Sequence, residues 1–133
     1  MSNARNLANL LGTKTKVKDV DVDGTELILD ADADTSITAD TDDQIDFKTG
    51  GSDRVIIDSS GNLLVGKTSV SGSTVGGEIR SDGRVLAVVD DNFAAFFARK
   101  SADGEIVRFL KDTTTVGSIS AVSSDLAIFS SAS

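Results

Sequence analysis

Asp19, Asp21 and Asp23 occupy alternate positions before Gly24, and Asp30 stands twelfth counting from Asp19. Oxygens at positions 1, 3 and 5, a glycine for the bend and a terminal acid make up most of a calcium-binding loop. The flanks point elsewhere. Residues 13–18 (TKTKVK) alternate and are basic rather than helical, and the twelfth residue is Asp where a bidentate Glu is usual. Alternating acids equally suit a strand with one side in water. The favoured reading is a solvated hairpin turning at Asp23-Gly24, with calcium held by Asp19, Asp21, Asp23 and Asp30 as the alternative. Asp30, Asp32 and Asp34, and the acids from Asp40 to Asp43, carry the same two readings. In a trimer such rows would meet at an axis and could hold a cation.

Other chemistry is thinner. Glycoside hydrolysis needs two carboxylates, but saccharide sites lean on flat aromatic platforms, and the chain has no Trp or Tyr. The letters G-x-x-x-x-G-K-T are present from Gly61 to Thr68. A phosphate loop, however, follows a buried strand and opens a helix. Here Asn62 to Val65 is itself strand-like, and SVSGSTVGG after Thr68 cannot be helical. Lys14, Lys16 and Lys18 form an alternating row that reads as an edge strand guarded against aggregation, or else as a small anion patch. Cys and His are absent, which removes thiol and imidazole catalysis, disulfides and ordinary zinc or haem sites. The expectation is a non-enzyme without a cofactor. A net charge of −8 argues against general nucleic-acid binding. No apolar run is long enough to span a membrane, and Met1 to Gly12 lacks the basic start and apolar stretch of a signal peptide.

The elements behind these residues are mostly strands. Eighteen of the 21 acids are Asp, which favours turns, and only three are Glu. Seventeen Ser, 12 Thr, 12 Gly and 22 Val or Ile complete a composition suited to short strands and turns. The one helix expected covers residues 2–11, capped by Ser2 or Asn3 and ended by Gly12, with Ala4, Leu7 and Leu11 on one seam. Ten residues do not hold a helix alone in water, so this seam must dock on its own domain, sister chains or a partner. Strand runs follow at 17–22, 27–29, 35–39, 44–48, 53–58, 62–67, 78–80, 84–89, 93–99, 105–111, 115–120 and 125–129, with turn signals between them. The expected divisions are the helix 1–12, a β-rich segment 13–67, a linker or loop 68–77, and a second β-rich segment 78–133. Two runs, 85–89 (VLAVV) and 93–98 (FAAFFA), are apolar on both sides. Strands covered on both sides need two layers around them. Neighbouring copies would supply the second layer, with Phe93, Phe96 and Phe97 in that core; a central strand of a monomeric sandwich is the alternative.

The run 34–68, DTSITADTDDQIDFKTGGSDRVIIDSSGNLLVGKT, resembles a segment of tail-fibre and other virion structural proteins of tailed bacteriophages, marine ones especially. The run 96–119, FFARKSADGEIVRFLKDTTTVGSIS, resembles the stretch that follows there, and SNARNLANLLG is similar to starts seen in the same proteins. The resemblance implies an elongated, intertwined homotrimeric β-fibre in the virion, held to a tail or baseplate/adaptor protein through its N-terminal part and supporting adsorption to a host cell-surface receptor. Longer relatives often end in a receptor-binding tip or a self-cleaving chaperone, and neither is seen in these 133 residues. The interface residues expected are Ala4, Leu7, Leu11, Phe93, Phe96 and Phe97. The alternative is a receptor-binding or head-decoration module that recognises a host glycan or protein through loops 68–77 and 100–104.

Overall fold

The computed structural model describes Val22 and residues 25–131. Ala4, Leu7 and Leu11, the Lys14–Lys18 row, Asp19, Asp21, Asp23 and the first arm of the expected hairpin lie outside the described residues, apart from Val22.

The described chain is all antiparallel β, in two units that divide between Val88 and Val89. The first holds a seven-stranded meander in chain order: β1 (Leu27–Ile28), β2 (Ser36–Thr38), β3 (Ile45–Thr49), β4 (Ser52–Ile57), β5 (Leu63–Val65), β6 (Gly76–Ile79) and β7 (Val85–Val88). The second holds a three-stranded meander, β8 (Gly104–Lys111), β9 (Thr114–Val122) and β10 (Asp125–Ser130), with β9 central.

The turns explain the order. Gly50 and Gly51, at φ 58° and 67°, form the two-residue loop between β3 and β4, the left-handed pair that matches the strands' twist. Ser123 and Ser124 do the same between β9 and β10, at φ 51° and 73°, without glycine. The β4–β5 and β6–β7 loops are copies of one another. In the first, the Asp58 amide donates to the Asn62 carbonyl at 3.0 Å and the Gly61 amide to the Asp58 carbonyl at 2.8 Å. In the second, Arg80 and Arg84 pair in the same way at 2.8 Å, and Gly83 donates to the Arg80 carbonyl at 2.8 Å. The frame Ile-x-Ser-x-Gly-x-apolar-Leu thus recurs, from Ile57 to Leu64 and from Ile79 to Leu86, a repeat hidden by unlike residues at the variable places.

Nine of the ten expected strand runs from residue 35 onward contain a strand. The exception is 93–99: residues 89–103 carry none. Asn92 Oδ1 accepts the Phe93 amide proton at 2.8 Å, a local bond that competes with a ladder. Strand propensity counts for little without a partner edge. The neighbouring run is not covered on both sides either. In β7, Val85 and Ala87 are exposed, and Leu86 and Val88 are half-buried.

Candidate interaction surface

Register places the side chains of the first sheet in rows. On one side Thr38, Asp46, Ile56, Leu64, Glu78 and Leu86 follow one another across β2 to β7. On the other, Leu27, Ile37, Phe47, Val55, Val65, Gly77 and Ala87 form one row, and Ile45, Ile57, Leu63, Ile79 and Val85 form a second. The alternation along each strand is ordinary; the burial is inverted. Thr38, Asp46, Ile56, Leu64 and Glu78 are buried, whereas Leu27, Ile45, Ile57, Val65, Ile79 and Val85 are 37–75% exposed.

The polar side is closed by its own loops. Lys67, after β5, sends Nζ 2.7 Å from Glu78 Oε2 and 2.5 Å from the Ser71 carbonyl. The Ser71 amide donates to the same carboxylate oxygen at 3.1 Å. Arg80 Nε donates to Glu78 Oε1 at 2.5 Å. The Lys67 ammonium above all, with the Ser71 amide and Arg80, holds Glu78 down to about 2, against its burial. Asp46 takes both its bonds from Gln44 Nε2, at 2.9 and 3.0 Å. Opposite it on β2, Thr38 Oγ1 is buried without a hydrogen-bond partner among the described residues. Lys48 pairs with Glu26 at 2.8 Å, which raises its pKa. The two copied loops are tied together: Asn62 Oδ1 accepts the Ser81 amide proton at 2.9 Å, while its Nδ2 donates to Asp58 at 2.8 Å.

The side with the aliphatic rows has no such cover. A shallow cavity of about 300 Å³ at one end is lined by Val22, Thr25, Leu27, Ile37, Thr38, Ala39 and Ile45. A second, of about 240 Å³, is lined by Leu63, Val65, Ile79 and Val85 together with Gly77, Glu78, Leu86 and Ala87. The smaller sheet repeats the pattern: on β9 Ser118 and Ser120 are buried, while Ile119 on the opposite side pairs with the exposed Ile128.

Phe93, Phe96 and Phe97 lie in the strandless stretch and are 74%, 79% and 68% exposed. Phe93 and Phe96 rings sit 6.2 Å apart. Among the acids expected as ligands, the carboxylates of Asp30, Asp32 and Asp34 lie within 4.8 Å of one another, all exposed. The Asp30 carboxylate is occupied by the Thr35 amide at 3.2 Å, and bonding to Thr35 lowers its pKa. The stretch 61–68 is turn and strand, and its Lys67 is engaged by Glu78.

Glu78 and Asp46 were not singled out by sequence reasoning, and Lys67 and Asn62 entered it only within the rejected phosphate-loop pattern. One signal was available: Glu78 is one of three Glu in the chain and stands where the copied hairpin has Ile56. Comparison with protein-family models, curated proteins and solved structures returned no match.

Proposed function

We propose that the chain is a structural component of a tailed-bacteriophage virion, a short tail fibre or fibre-stem segment that works as a homotrimer. Its N-terminal segment attaches it to a tail or baseplate/adaptor protein, and its role in host adsorption is mechanical. The phage assignment rests on the resemblance of runs 34–68 and 96–119. The need for copies rests on one observation. Among the described residues only Ile56 and Leu64 are buried hydrophobics, while more than twenty large apolar side chains are exposed. A chain of this size ordinarily withdraws most of its aliphatic residues from water. The missing core is supplied by sister chains in an elongated, intertwined fibre, and the exposed Phe93, Phe96 and Phe97 are available to the same assembly.

Light scattering behind size exclusion tests this. The expected result is the mass of three chains with an extended hydrodynamic radius; a compact single chain overturns it. Deleting residues 1–12 is expected to abolish incorporation into virions, and normal incorporation of that chain would remove the attachment role.

A further inference from the structure

We infer that the aliphatic side of the seven-stranded sheet is the surface on which copies of this chain meet, sheet face against sheet face; this deepens the self-assembling reading and rests on it. The two rows, Leu27 to Ala87 and Ile45 to Val85, contain no charged residue. Asp46, Lys48 and Glu78 all alternate to the other side. Each copy carries −8, so two copies repel over most orientations. This face is a place where they approach closely without placing like charges together, and three uncharged aliphatic faces can close around one threefold axis.

Size agrees. The six most open side chains, Leu27, Ile45, Ile57, Val65, Ile79 and Val85, expose on the order of 500 Å², and the half-buried Ile37, Phe47, Val55 and Leu63 bring the face toward the ~800 Å² per partner of a standard interface. That exceeds most of the ~300–600 Å² range for the largest apolar patch on a monomer. Ile and Val rows on a pleated surface are what two sheets interdigitate when they pack ~10 Å apart. The inverted burial follows: the chain's own loops close over the side bearing Asp46 and Glu78, and the greasy side is left for another copy.

The test uses the full chain with Ile57→Asp and Ile79→Asp together. Both positions are open in the single chain, so its fold can accept the change. The expected result is a threefold fall in mass, to one chain, with the β-sheet circular dichroism of the parent. A double variant that keeps the parent mass overturns the inference. Should the variant unfold, cross-linking decides, because the chain has no cysteine of its own. Ile79→Cys, treated with a bis-maleimide whose reach matches the ~10 Å between packed sheets, is expected to link copies, while Ser52→Cys beside the β3–β4 turn stays unlinked. The reverse pattern overturns the inference. So does an Ile79→Cys chain that links only after residues 1–21 are deleted, since its own N-terminal segment would then cover the face. A parent chain of single-copy mass sinks the fibre reading as well, whereas a trimer that survives the double variant sinks this face alone.

Discussion

Lys67 Nζ lies 2.7 Å from Glu78 Oε2, with neither side chain exposed to solvent. The pair is sealed into the chain while its large aliphatic residues stand open. It fastens the loop between β5 and β6 to the sheet through the Ser71 carbonyl and amide as well. Removing one partner of a buried pair leaves an uncompensated charge, which costs more than the pair contributes. Lys67→Met is therefore expected to lower the melting temperature by on the order of 10 °C at fixed protein concentration. Lys67→Met with Glu78→Gln should recover part of that loss. A single variant that melts with the parent would show that the loop is held by other means.

Acid should release the same fastening. The folded pKa of Glu78 is depressed from 4.5 to about 2, so its contribution is complete above pH 4.5 and is lost as pH falls toward 2. Asp58, lowered by Asn62, and Asp82, lowered to about 2 by Arg84, act with the same sign. Melting followed across this window should fall steadily, and Lys67→Met, already deprived of the main cause, should fall less. Parallel curves for the two proteins would contradict this.

Leu64 has no exposed surface and stands between Ile56 and Glu78 in the buried row. Leu64→Ala is expected to cost about 2–5 kcal/mol by denaturant unfolding. Ile79→Ala, at a position open in the single chain but covered in the proposed contact between copies, should cost a comparable amount at concentrations where copies assemble. A far smaller cost there would mean that the aliphatic side stays open in solution.

Asn62 joins the two copied loops, and its own loop turns at Gly61, φ 78°. A Cβ at Gly61 meets nothing closer than 3.8 Å, so Gly61→Ala tests backbone conformation alone and should cost ~1 kcal/mol. Asn62→Ala removes bonds to both loops at a buried position and should cost about 1–3 kcal/mol. Faster amide exchange at Ser81 in Asn62→Ala, with no change in Gly61→Ala, would separate the tie between loops from strain within one.

Strand positions were legible because turn residues mark them: Gly50-Gly51, Ser60-Gly61 and Asp82-Gly83 each sit at a reversal. The side that would be buried was not. Alternation along IDFK (45–48) separates Asp46 from Ile45 and Phe47, and water is the default neighbour of a carboxylate. Gln44, two residues back, changes that default for Asp46, and Lys67 does so for Glu78, eleven residues later; the second bond is too distant in the chain to read from spacing. The run 93–98 failed in the opposite sense. Its composition is right for a strand, but a strand is a relation between two segments, and no described neighbour pairs with it. The N-terminal seam of Ala4, Leu7 and Leu11 lies outside the described residues.

In both sheets every strand bonds only to the strand before or after it in sequence. Such wiring has low contact order, so each hairpin can close as soon as it leaves the ribosome, without waiting for distant segments. It also makes length adjustable. Because the Ile57 and Ile79 hairpins share one frame, adding or removing such a unit would extend or shorten the sheet by two strands without rethreading any other connection.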